Sequence, residues 1–193
     1  MSDPRYPESS AYHEAGHIVI AAAQGMRLSR HGVHLDADGR GFAYYEYRKP
    51  RRFSDAPSEI KREHTIIATL AGLIAQQKFY PECSTLGASD DTNLVDLLLS
   101  EILEDEPLGG AFSTAQIDLK QEADKLVRKF WPAIEAVAVT LWETPETPRD
   151  SDEPEPTWSV LPLEKRINGA RLVEILRSFG IHTSIWDAKV IAD

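Results

Sequence analysis

Two histidines four residues apart, His13 and His17, constrain this chain more than any other feature it carries. Residues at i and i+4 of an α-helix lie one above the other on a single face, so both imidazoles reach one ion only if this segment is helical. The run from 11 to 24 meets that condition: Ile18, Val19 and Ile20 follow the histidines, and Gly25 stops the helix. Ser9 or Ser10 is the expected N-cap. Between the histidines stands Glu14, giving the pattern His13-Glu14-Ala15-Gly16-His17. Zinc held by such a pair lowers the pKa of a bound water towards about 7. A neighbouring carboxylate then takes the proton during attack on a peptide carbonyl and passes it to the leaving amine. The bland alternative is a surface helix with two chance histidines, and the apolar flank argues against it.

A catalytic zinc site takes three protein ligands and keeps one position open. Helix phase offers a way to choose the third. In a helix read from 89 to about 104, with Ser89 as cap, Leu94, Val95, Leu97, Leu98, Leu99 and Ile102 form an apolar stripe. The centre of that stripe falls within about 20° of Asp91, whereas Asp90 lies roughly 100° away and Asp96 points to the opposite side. A carboxylate facing the core is costly unless paired or metal-bound. Asp91 is therefore the expected third ligand, and Asp90 a solvated charge favoured by the helix N-terminus. The competing reading of Asp91 is that it too serves only the helix dipole. Two imidazoles and a carboxylate suit Zn2+, although related donor sets also accept cobalt, manganese or nickel.

The rest of the chain reads as mainly α, a single helical domain over residues 1–193 with a small antiparallel β element. Val33 and Leu35 alternate with polar neighbours, Asp38-Gly39 supplies a turn, and 42–47 is aromatic and strand-like. A long helix is expected from 58 to 79, with small residues at Ala68, Ala71, Gly72 and Ala75 that permit close approach of another helix. Ser113 and Gln116 form a capping-box signature for a further helix, which should break at Pro132 and resume to about 143. The proline-rich acidic stretch 144–162 is expected to be an exposed, mobile loop, and 163–179 a last helix.

Composition narrows the class of partner. A formal charge of −10 disfavours nucleic acid and anionic membrane surfaces. No stretch reaches the about 18 apolar residues that span a bilayer, residues 1–10 lack the pattern of a secretory signal, and the single Cys83 fits a reducing compartment. A cytoplasmic location is the expectation.

The run His13 to His17, with Gly87-Ala88-Ser89-Asp90-Asp91 further on, resembles the peptidase domain of the FtsH family of zinc proteases. That family has HEAGH on one helix and a GASND-like segment whose final aspartate is the third zinc ligand. Carried over by residue, the ligand is Asp91, the position helix phase favours. Looser similarity lies in the β segment, the Ala71-Gly72 step, the leucine-rich helix after Asp91 and the Asn168-Gly169 helix. The resemblance implies a zinc metalloendopeptidase with His13, His17 and Asp91 as ligands and Glu14 as catalytic base. It also implies a homo-oligomer.

Departures qualify it. The 193 residues contain no GxxxxGK[ST] phosphate loop and no membrane span, so the expected activity is ATP-independent, on peptides or unfolded segments, unless a separate ATPase serves as partner. Leu73 and Gln76 stand where the family usually has arginine and glutamate. These changes motivate an alternative: a catalytically silent binding or regulatory domain that retains the metal site.

Other features have two readings each. Tyr44, Tyr45 and Tyr47 belong either to an edge strand that binds an extended substrate or to a hairpin that covers the core. His31, His34, His64 and His182 read as packing or surface residues, and no second feature argues for Cys83 as a ligand. The basic run Arg48, Lys49, Arg51 and Arg52 reads as a solvated loop, with a docking site for an acidic partner second.

Overall fold

A computed structural model describes residues 5–36, 38–46, 58–83, 89–103, 110–148 and 163–186. It is mainly helical, with a small and largely antiparallel sheet. Helix α1 (Arg5–Ala23) runs through the middle of the molecule, and Ala11, Ala15, Ile18, Val19, Ile20 and Ala21 are fully buried. Apolar residues on more than one face of a helix must be covered on each of those faces. Helices α2 (Ser58–Phe79) and α5 (Trp131–Glu143) and the sheet do the covering.

The helix starts earlier than the caps suggested. Ser9 and Ser10 lie inside it and are buried, and Pro7 sits in the first turn, where its missing N–H has no intrahelical partner to lose. It ends as expected. Gly25 takes a φ of 84°, and the Met26 amide donates back to the Ala21 carbonyl.

Close approach of α1 to α2 rests on small residues. A Cβ placed on Gly16 would stand 2.5 Å from the Ala71 carbonyl oxygen and 2.9 Å from the Ala75 Cβ. Only glycine on one helix facing alanine on the other permits this separation.

Strand β1 (Arg27–Asp36) is the centre of the sheet. It pairs antiparallel with β2 (Gly41–Glu46) on one side and with β4 (Leu163–Ile167) on the other. The short β3 (Thr147–Pro148) extends the sheet beyond β4, and β5 (Ile185–Trp186) pairs parallel with β1 at Leu28 and Ser29. Between Leu28 and Val33 the β1–β2 ladder is irregular, and Gly32 occupies that stretch with a φ of 70°. Among the described residues the sheet ends at β2, next to α1.

Two expectations are corrected here. The segment 163–179 is not one helix: 163–167 is strand β4, and α6 (Gly169–Ser178) begins after Asn168, whose side chain caps the Arg171 amide. Leu, Glu, Lys and Arg are helix formers, but pairing with β1 on one edge and β3 on the other overrides that weak preference. Helix α4 (Gly110–Lys129) starts three residues before Ser113, so the capping box falls inside it. The break before Pro132 stands as expected: α4 ends at Lys129, and Pro132 sits in the first turn of α5. Most of the acidic stretch 144–162 and the basic run 48–52 lie outside the described residues.

Helix α3 (Ser89–Ile102) is fastened differently from α1. Val95 and Leu99 are buried against Ile66 of α2, with Leu98 and Ile102 partly buried beside them, while Leu94 and Leu97 are exposed. No described helix is long and apolar enough to cross a membrane.

Candidate metal centre

His13 and His17 lie one turn apart on α1, and Asp91 sits in the first turn of α3. Their side chains converge. The Asp91 Oδ2 atom is 2.8 Å from His13 Nε2 and 3.3 Å from His17 Nε2, and the two Nε2 atoms are 2.9 Å apart. Among the described residues this is the one group of His, Cys, Asp or Glu whose donor atoms gather closely enough for a metal ion.

The tautomer of His17 follows from its surroundings. Its Nδ1 donates to the Ala68 carbonyl oxygen at 2.9 Å, which turns Nε2 towards the cluster. Such a hydrogen bond is the usual device for orienting a metal-ligating imidazole. Two ring nitrogens facing each other at this distance cannot both carry protons. The three atoms therefore gather around shared positive charge, either a proton or a metal ion. Four ligands at zinc's bond lengths are separated by roughly 3.4 Å, so the donor set and its spacing fit zinc with a slight expansion.

Electrostatics agree with that reading of the metal-free state. Burial disfavours the His17 cation, but hydrogen bonding and charge from Asp91, with help from Glu14 and the Ala68 carbonyl, outweigh it and raise the pKa to about 9. Burial would raise the Asp91 carboxyl, yet the two histidines hold it well below the usual carboxylate range. Burial pushes Glu14 up, against the opposing pull of His13 and His17.

The seat is tight. A Cβ on Gly72 would lie 2.3 Å from His17 Cε1, so α2 presses its backbone against the imidazole. One on Gly41 would lie 2.4 Å from Glu14 Cγ and 2.8 Å from Oε1. The first residue of β2 thus covers the Glu14 carboxyl. Neither role is legible as a local pattern, because neither glycine has a positive φ or sits in a recognisable turn motif.

Glu14 and the three converging side chains line a cleft of about 920 Å³, with Asp38 to Ala43 and Tyr45 along one wall. Gln76 also lines it and donates to Ser9 Oγ at 3.1 Å. Tyr45 reaches the cleft from β2 and is held as a neutral phenol: burial pushes it up to about 12, a Thr69 hydrogen bond opposes this, and the negative Asp91 and Glu14 add to it. Tyr44 belongs to another cluster, with Phe42, His34 and His31, and Tyr47 lies outside the described residues.

The other histidines stay out of the centre. His31 and His34 are buried in β1, His64 lies on α2, and His182 is exposed. Cys83 is buried and free after the end of α2. Asp90 is exposed, as expected of a solvated charge, and Gly87 and Ala88 lie outside the described residues. No protein-family model and no curated protein matches the chain.

Proposed function

We propose that this chain is a zinc-dependent, ATP-independent peptidase of FtsH-like type, acting on peptides or unfolded segments. The observation that carries the reading is the convergence of His13 and His17 with Asp91, beside the buried Glu14, in one open cleft. A helical HExxH pair alone is a common coincidence. A third donor, an oxygen from another helix 2.8 Å from the His13 nitrogen, is far less so.

His13, His17 and Asp91 would hold the metal. Bound there, zinc supplies Lewis acidity that polarises a carbonyl and lowers the pKa of a coordinated water towards about 7. Glu14 takes the proton of the attacking water and delivers it to the leaving amine, its carboxyl raised above the ordinary carboxylate value by burial, which strengthens it as a base. Tyr45 offers a neutral O–H donor at the cleft wall for oxygen that gains charge during attack. Strand β2 ends the sheet and lines the cleft, so an extended substrate adds to its edge through main-chain hydrogen bonds. Folded substrates would first have to lose several kcal/mol of stability, which favours flexible ones. A cytoplasmic location belongs to the same proposal, supported by a lone free thiol.

The test is cleavage of casein and fluorogenic peptides, with metal analysis of the same sample. One zinc per chain and chelator-sensitive cleavage are expected, and Glu14→Gln should lower kcat by about 10²- to 10⁴-fold while the metal stays bound. Stoichiometric zinc with no cleavage across a diverse peptide library would favour the silent binding domain instead. Cleavage unchanged by chelation and by Glu14→Gln would refute the mechanism.

A further inference from the structure

The turn that leads into β2 is built on one buried carboxylate, that of Asp36. It accepts from the amides of Asp38 and Arg40 at 3.0 and 2.9 Å, and the Asp36 amide donates to the Arg40 carbonyl oxygen at 2.8 Å. Gly39 completes the turn with a φ of 78°, a left-handed conformation that suits glycine. The backbone of Arg40 is thereby pinned at both its polar groups, while the residue is exposed and lines the main cleft. Next in the chain is Gly41, whose backbone lies against Glu14. A strand advances about 3.4 Å per residue, so the root of Arg40 stands about one residue from the level of the proposed base.

Among the described residues that line the cleft, Arg40 is the one lysine or arginine, set against the carboxylates of Glu14, Asp38, Asp90 and Asp91. We infer that Arg40 determines specificity by pairing with a substrate carboxylate, about one to three residues from the cleaved bond towards the β1–β2 turn. The inference rests on the peptidase reading above. The carboxylate belongs either to an acidic side chain or to the C-terminus of the substrate, and a guanidinium forks onto both alike. A chain laid along the edge of β2 as far as the turn meets this side chain whichever way it runs. The other charges sharpen the choice. Asp38 and Asp90 are exposed at the cleft and repel an acid placed elsewhere, so the preference is confined to the reach of Arg40.

The experiment uses the zinc-loaded full chain and two sets of fluorogenic peptides. One set walks a single Glu, Gln or Lys through the positions on either side of the cleaved bond, with the C-terminus amidated. The other carries no acidic side chain and ends in a free carboxylate or an amide at increasing distance from that bond. At one position Glu should exceed Gln by about fivefold in kcat/KM, and the ratio should shrink in high salt. Arg40→Gln should abolish that ratio, and Arg40→Glu should make Lys the preferred residue there by about fivefold. Arg171→Gln, which changes the net charge equally at an exposed site outside the cleft lining, should leave the ratio intact. A gain confined to the free carboxylate, with the same dependence on Arg40, would uphold the pairing and identify the chain end as its source. Anisotropy titrations on the zinc-loaded Glu14→Gln protein read the same preferences without turnover. Chelator-sensitive cleavage in which no charge preference responds to Arg40 would overturn the inference and leave the peptidase reading standing. An Arg40-dependent preference in binding without cleavage would uphold the pairing and remove the enzyme. Neither cleavage nor peptide binding would overturn both.

Discussion

The two helices that bring the candidate ligands together are anchored in opposite ways. Helix α1 carries His13 and His17 through the core, packed against α2, α5 and the sheet, with Gly16 against the α2 backbone. Helix α3 carries Asp91 and is fastened along one stripe, Val95 and Leu99, with Leu94 and Leu97 left to solvent. The histidine pair is therefore fixed by folding itself. The carboxylate is fixed by a lighter attachment, to which a shared ion would add. A metal that binds the folded state stabilises it by mass action, and the element with least packing of its own gains most order from it.

The largest effect should come from attacking the rigid half. Gly16→Val forces a side chain into the Ala71 carbonyl and Ala75, and overpacking of that kind costs about 3 kcal/mol at the upper end of its range. For a chain of this size that is a drop of roughly 6–12 °C in Tm, read by thermal unfolding of the metal-free protein. A fully stable variant would mean that α1 and α2 separate easily and that the contrast between the halves is misplaced.

Attacking the lighter half should leave the fold and damage the site. Asp91→Asn is expected to weaken zinc binding by at least about 100-fold, more than the loss of an outer hydrogen-bond partner. Asp90→Asn, one residue away and exposed, should change stability by less than about 0.5 kcal/mol and leave zinc affinity intact. Competition with a metallochromic chelator separates the two. Equal affinities in both variants would mean that α3 supplies no ligand.

The smallest effect concerns protons. Without metal, His17 has its pKa raised to about 9, so its stabilising contribution is complete below the ordinary histidine range near 6.5 and fades as pH rises through 9. Asp91 is depressed, so its contribution is present above the ordinary carboxylate value and is lost on acidification. Stability of the metal-free protein should therefore be greatest from about pH 4 to 6.5 as far as this pair is concerned, and Asp91→Asn should flatten the profile. Zinc needs the His17 proton to leave, so binding at pH 7 should release protons, measurable by calorimetry in buffers of different ionisation enthalpy.

The same contrast explains what could be read from the residues alone. The histidine spacing and the phase of Asp91 are local helical properties, and helix geometry makes them visible at a distance of a few residues. The 58–79 helix and the break before Pro132 were legible for the same reason. Strand β4 was not, because its partners β1 and β3 are remote in the chain and only pairing makes 163–167 extended. Gly72 and Gly41 were visible as residues, but what they touch, His17 and Glu14, is set by tertiary packing. Ser9 and Ser113 misled because a good cap residue is also tolerated inside a helix when other packing fixes the start.

The contact between Gly41 and Glu14 couples an edge to a proton acceptor. With no gap for a methyl group between them, the end strand of the sheet cannot shift by an ångström without pushing or releasing that carboxyl. Under the proposed function, a substrate added to the margin of the sheet would bear on the position of that acid group.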